Sequence, residues 1–382
     1  MQQRIDLPLL ISCLLLIGIG SVMVYSASSV VAEEMFSGDS GFFVKRYLIR
    51  LMIALIILVI FTSLNYQNLK KLSPLGMIFG AVLLILVLVP GLGIPIRGAV
   101  RTLDLFWVTL QPAEGIKIAL VIYLAYWLEK KQNVIEQFRS GVLPGLVLIG
   151  GTCFLIALQP DYGTAIVLGV TSFTMLYIGR ARLSHLFGVS FVVIPVLFFK
   201  LYNSTHSRQR LMTYFDRFFG SSVDQSINLQ GADYQVQQAL IGLGTGGLFG
   251  TGLGQGRQKF LFLPDPHTDF VFAVIGEELG FLGSVAVFSL FIVLAWRGMR
   301  IARMAPDAFG FFLASGLTVL ITLHVLVNLG VVTGVLPTTG LPLPFISYGG
   351  SWLLFCMMSI GIMLNISRRS YRQQRLDYEQ KP

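Results

Sequence analysis

Charge is scarce in this 382-residue chain: Asp, Glu, Lys and Arg together make up 12% of it, about half the ~25% of an ordinary soluble domain. Hydrophobic residues reach 54% and the mean hydropathy is +0.75. A water-soluble enzyme is excluded, and an integral membrane protein takes its place. The formal net charge of +9 then reads as an orientation signal, not as a nucleic-acid footprint. Cysteine is nearly absent. Cys13, Cys153 and Cys356 are scattered through apolar runs without metal or redox spacing, so they read as packing residues. The histidines (His185, His206, His267, His324) show no metal-ligand spacing either. No fixed-period repeat and no soluble domain of ordinary size is visible. Gly242, Gly244 and Gly247 match GxGxxG, but no strand precedes them and the 242–256 stretch holds eight glycines. A nucleotide-binding turn is therefore set aside.

Apolar runs fill the chain instead, several of them near the ~20 residues that a spanning helix needs. Ten are predicted, at about 7–26, 47–64, 75–92, 113–128, 142–158, 163–179, 184–201, 268–296, 309–335 and 349–366. The first run resembles a secretory signal, with Ser26-Ala27-Ser28 as a cleavage site, but it is too long and Asp6 spoils a basic leader. It is expected to stay as an anchor. With the N-terminus in the cytoplasm, the inside segments and tail hold sixteen basic and six acidic residues, against nine and nine outside. The positive-inside rule fixes that orientation. The expectation is an all-α polytopic membrane protein of about ten transmembrane helices with both termini cytoplasmic. Residues 1–367 form a single transmembrane domain whose large extracytoplasmic loop is 202–267, and 368–382 form a basic cytoplasmic tail, expected to be disordered. The loop is too long for a plain connector, and its Tyr234–Leu243 portion is predicted to form an amphipathic helix on the membrane face.

The chemistry gathers at LFLPDPHTDFVFAVIGEELG, residues 261–280, where a Pro-bounded polar segment runs into an apolar stretch carrying Asp269, Glu277 and Glu278. A carboxylate at bilayer depth costs about 2.5–3.5 kcal/mol on insertion scales. On a helix starting near 268, Asp269, Ala273, Gly276, Gly280 and Gly283 share one face, a small-residue stripe topped by an acid. Asp269 is the candidate catalytic residue; a helix N-terminal acid favoured by the dipole is the plain alternative. Glu114 and Lys117 are three apart at the start of a span, where a structural ion pair is the better reading. Asp161 follows Pro160 in a short outer turn and reads as a helix cap unless it faces the same cavity. Arg208, Arg210, Arg217, Arg257 and Lys259 lie in the outer loop, where orientation does not explain them. They suit the phosphates of a lipid-linked substrate. The uncharged LPTTGLPLPFISYGGS, residues 336–351, is irregular backbone of the kind that lines a cavity at membrane depth. These residues alone fit both an enzyme and a transporter of a lipid-phosphate-linked substrate.

At these motifs the chain resembles the SEDS family of FtsW and RodA over nearly its whole length. The motifs are YSAS (25–28), QPAE (111–114), LQPDYGTA (158–165), YQVQQ (234–238), GLGQGRQK (252–259), LPDPHTDFVFAVIGEELG (263–280) and LPLPFISYGGS (341–351). QPAE departs from the usual QPSE. GLGQGRQK and VPGLGIPIRGA (89–99) look more like FtsW than RodA. The resemblance implies a peptidoglycan glycosyltransferase of the bacterial cytoplasmic membrane that polymerises lipid II at the outer face, in cell division or elongation, releasing undecaprenyl pyrophosphate. Asp269 holds the position of the family's essential acid. A single inverting displacement follows, with Asp269 as general base on the acceptor 4-hydroxyl. Arg208, Arg210, Lys259, Glu114, Lys117, Asp161, Gln235, Gln238 and Ser347 are the expected substrate-binding set, with Mg2+ or Mn2+ as the expected metal. A class B penicillin-binding protein is the implied partner, packing on the eighth and ninth spans, beside other divisome or elongasome membrane proteins. A lipid II flippase and a non-catalytic scaffold are the alternatives.

Overall fold

The computed structural model describes residues 5–36, 38–96, 99–105, 108–203, 208, 210–212, 214–215, 232–260, 263–264 and 266–379. A short polar residue opens helix after helix by capping its free N–H groups. Asp6 accepts from the Leu9 N–H at the start of α1 (Leu7–Met35), and Asn65 caps α3 (Tyr66–Leu88). Between them, α2 spans Phe42–Ser63. Pro112 starts α4 (Pro112–Lys131), where its missing N–H costs nothing. A π-turn at Phe138–Val142 leads into α5 (Leu143–Leu158), Asp161 caps α6 (Tyr162–Ile178), and α7 covers Leu183–Asn203. After the outer loop come α8 (Ala232–Thr245), α9 (Val271–Arg303), α10 (Ala308–Val332, capped by Asp307) and α11 (Trp352–Glu379).

Each of the ten predicted runs corresponds to one long helix, and the amphipathic segment of the loop is α8. Among the described residues, five stretches are each long and apolar enough to cross a bilayer: Leu7–Met35, Tyr66–Leu88, Phe138–Leu158, Val271–Arg303 and Ala308–Val332. The molecule is a multi-pass helical membrane protein. The central helix is α10, which packs on α9, α4 and α6, while α11 packs on α2 and α1 on α9. The ends of α1 and α9 are tied by a buried Arg297–Asp6 pair, with Arg297 Nε donating to Asp6 Oδ1 at 3.0 Å.

Three features differ from the expectation. A three-stranded antiparallel sheet occupies the α3–α4 connection: β1 (Gly93–Ile96), β2 (Ala99–Leu105) and β3 (Val108–Leu110), with Ile94 opposite Thr102 and Leu103 opposite Leu110. It packs through β2 on α3 and α4. Next, the tail expected to be disordered from Arg368 continues α11 to Glu379; its Arg, Gln and Leu residues are good helix formers. The third lies in α9, where Gly280 (φ 70°, ψ −168°) breaks the helix. A Cβ there would clash with the Gly250 nitrogen. The backbone groups freed by the break are taken up by the glycine-rich loop after α8. Thr251 N–H bonds to Glu277 O (2.9 Å), Gly252 N–H to Glu278 O (3.1 Å), and Phe281 N–H to Gly247 O (2.9 Å). The small-residue stripe thus admits a loop, not a neighbouring span. This is how irregular backbone is tolerated at membrane depth.

Candidate active site

Asp269 does not sit on α9. The helix begins at Val271 with Phe270 in the cap position, and residues 266–270 form turns before it. The cause lies in three consecutive carbonyls, which would accept from the first turn of a helix begun near 268. His267 O instead accepts from the Tyr348 N–H (2.8 Å), Thr268 O from the Ser347 hydroxyl (2.5 Å), and Asp269 O from the Asn328 side-chain amide (2.8 Å). Asn328, 1% exposed, also donates to Leu341 O at 2.8 Å. Ser347 accepts from the Leu343 N–H at 2.8 Å as well, so it holds the turn and its loop. The ring of His267 is packed between Phe43 and Tyr348. The acid's backbone is therefore pinned from α10 and from the 336–351 loop.

The carboxylate is half-buried and lines a cavity of about 120 Å³ with Arg210, Gln235, Asn328, Thr338, Thr339 and Gly340 among its walls. Residues 338–341 wall this cavity, where the irregular loop was expected to lie. Gly340 has φ +75°, and a Cβ on it would lie 3.6 Å from Asp269 Oδ2. The Thr338 and Thr339 hydroxyls are buried and have no hydrogen-bond partner among the described residues, so the wall offers polar groups to a ligand.

Two arginines serve this face. Arg210 donates to Thr338 O at 3.2 Å. Burial and the nearby Arg101 guanidinium hold its pKa below the ordinary arginine value, while Asp269 pulls in the opposite direction. Arg101, on β2, was not singled out in the sequence. Its Nη2 donates to Pro160 O at 3.0 Å and its Nη1 lies 4.0 Å from Asp161 Oδ2. Asp161, 4% exposed, caps α6 through the Thr164 N–H (3.3 Å) and accepts from the Gln111 amide (3.2 Å). The sheet thus brings a cation to the α5–α6 turn. The available signal was strand–Arg97-Gly98–strand, a hairpin pattern.

Other expected site residues lie elsewhere. Lys259 is the clearest correction: it is 3% exposed and pairs with Glu278 at 2.9 Å, with Ser26 at 3.1 Å. Its charge is already matched, because the 252–259 loop folds onto the broken turn of α9. Glu278 also accepts from the Gly254 N–H, and Glu277 from the Arg257 N–H at 2.6 Å. The two glutamates are anchors for that loop. Glu114 and Lys117 form a buried pair at 2.6 Å inside the bundle, where Lys117 also meets His324 Nε2 (2.9 Å) and the Trp352 ring (3.9 Å). Neither lines the Asp269 cavity, nor does Gln238 on α8 or the exposed Arg208. Arg217 lies outside the described residues. Among the described residues no three His, Cys, Asp or Glu side chains converge on one point. A Mg2+ or Mn2+ ion here would have Asp269 as its carboxylate and would depend on substrate phosphates for the remainder.

The chain has known relatives along almost its whole length. A family model described as a cell cycle protein of the FtsW, RodA and SpoVE type matches residues 7–372. Stage V sporulation protein E of Bacillus subtilis (strain 168) is 40% identical over 365 residues, covering 96% of this chain and 97% of the relative. A probable peptidoglycan glycosyltransferase FtsW of Trichlorobacter lovleyi is 40% identical, covering 95% and 93%. A solved peptidoglycan synthase complex, described as coordinating polymerization and crosslinking, contains a chain with TM-score 0.76 and 26% identity, covering 97% of this chain and 99% of that one. The rod shape determining protein RodA of Thermus thermophilus gives TM-score 0.70 at 27% identity, covering 96% and 98%. With ten long helices among its described residues and a match along almost its whole length, the chain belongs to the FtsW/RodA/SpoVE family.

Proposed function

We propose that this protein is an inverting peptidoglycan glycosyltransferase that polymerises lipid II at the outer face of the cytoplasmic membrane. The observation that carries the reading is Asp269: a half-buried carboxylate in a cavity, its backbone pinned by three separate donors. Preorganisation of this kind is what a general base requires. Asp269 takes the proton of the acceptor sugar's 4-hydroxyl. That oxygen forms a bond to C1 of the lipid-linked donor as the C1–O–phosphate bond breaks. The electron pair leaves with undecaprenyl pyrophosphate, whose charge Arg210 and Arg101 neutralise, the latter in the role expected of Lys259. Pyrophosphate is already a good leaving group, so no second carboxylic acid is needed, in contrast to glycoside hydrolysis. A cavity of 120 Å³ holds the reacting atoms; the bulk of both substrates lies beyond its mouth. The positive-inside count supports the outward orientation.

A class B penicillin-binding protein is the expected partner. An apolar groove of about 600 Å³ between α9 and α10, lined by Phe288, Ile292, Trp296 and Leu326 among others, suits a transmembrane helix, and the solved relative above belongs to a synthase complex. The decisive test is glycan polymerisation from labelled lipid II by purified protein with its penicillin-binding partner. Wild type and Asp269→Asn are compared at matched folding and partner binding. Polymer from wild type alone is the expected result, with the variant slower by about 10²–10⁴-fold. Polymer from both would remove Asp269 from catalysis. No polymer from either, with lipid II crossing the bilayer of proteoliposomes, would mean a transporter.

A further inference from the structure

At the opposite end of the bundle from Asp269 lies a larger cavity of about 410 Å³. Three segments wall it: the α2–α3 turn (Ser63, Tyr66, Gln67), the α9–α10 turn (Pro306, Asp307) and one face of α11 (Asn365, Arg368, Arg369, Arg372). The spacing 365, 368, 369, 372 is one helical stripe. Three guanidiniums therefore turn toward one cavity, and no described ion pair engages any of them. The single acid among the described wall residues is already committed. Asp307 caps α10 through the Gly310 N–H (2.8 Å) and accepts from the Tyr66 hydroxyl and from the Gln67 amide (2.9 Å). Its charge is further offset by the N-terminal dipole of α10. Arg369 stacks over the Tyr66 ring at 5.5 Å, which fixes one cation against the α2–α3 turn. The α11 residues before Arg368, 352–367, carry no charge, so they rise about 24 Å along the helix axis. The arginines thus emerge where the hydrocarbon ends and phosphate headgroups begin.

We propose that this cavity is a binding site for a phosphate-bearing anion, and that its occupant is the headgroup of an anionic phospholipid in the inner leaflet. Arginine forks match phosphate oxygens bidentately, and basic pockets between spanning helices at that surface recognise such headgroups. Occupancy would join α11 to the turns on either side of it, stabilising the fold at the end remote from catalysis.

The test uses the full-length protein, delipidated in neutral detergent, with thermal unfolding and native mass spectrometry as readouts. The probes are phosphatidylglycerol, phosphatidylcholine and inorganic phosphate. They are applied to wild type, to an Arg368→Gln/Arg369→Gln/Arg372→Gln variant, and to a charge-matched Lys131→Gln/Arg139→Gln/Arg180→Gln control outside the cavity. Phosphatidylglycerol should bind wild type and the control and raise their melting temperatures. The cavity variant should bind at least about tenfold more weakly while unfolding normally without lipid. Inorganic phosphate raising the melting temperature as much as phosphatidylglycerol would keep the anion site but replace the lipid by a soluble phosphate. Equal responses of the cavity variant and the control would overturn the site. So would no response of wild type to either anion, which would leave the arginines to orientation or to an acidic protein segment.

Discussion

Asn328 bonds the carbonyls of Asp269 and Leu341 with a single amide, so one side chain joins the Asp269 turn to the loop that walls its cavity. Asn328→Ala removes both donors and leaves two buried acceptors, a loss of about 1–3 kcal/mol for each unsatisfied group. A lower melting temperature together with about tenfold slower polymerisation is expected, because loosening a base by about an ångström costs more rate than binding. Calorimetry beside the lipid II assay checks this. A variant that melts earlier but polymerises at the wild-type rate would show that the clamp serves folding alone. At this scale the sequence was partly legible. Asp269 stands out because an acid at the border of an apolar run is costly, and Arg210 because it is a cation without a topological reason. Arg101 was hidden by its strand, and Lys259 misled because nothing in GRQK announces a buried partner 19 residues later.

The spanning helices were readable because each is a long apolar run, with α1, α3, α6 and α10 also opened by a polar cap, and α8 because its period is amphipathic. The break at Gly280 was not. A glycine in a small-residue stripe looks the same whether it admits a helix or ends one; only the approach of the 246–252 loop distinguishes them. The sheet escaped for a related reason: its strands are short, and the first contains Pro95. The loop after α8 is held by Lys259 and Glu278, and this predicts a definite pattern of stability. Lys259→Met leaves a buried carboxylate unpaired and should cost about 3–5 kcal/mol. Lys259→Met/Glu278→Met should cost less than that single change. Denaturation in detergent gives both numbers, and a double variant weaker than the single one would mean that the pair itself contributes the stability.

For the molecule as a whole, the groove between α9 and α10 and the cavity at Asp269 are reached through the same two helices. Filling the groove with Ile292→Trp and Leu326→Trp should abolish copurification with the penicillin-binding partner and leave the melting temperature within about 0.5 kcal/mol equivalent of wild type, as surface changes do. Unchanged copurification would move the interface elsewhere. The clamp on Asp269 also bears on how the protein is made. Two of its three donors, Ser347 and Tyr348, and the third, Asn328, are translated after the acid itself. A nascent chain inserted only as far as α9 carries Asp269 without the groups that hold it. With Asp269 as the proposed base, the protein is expected to stay inactive until the last two membrane helices are in place, and a chain truncated after α9 is expected to polymerise nothing.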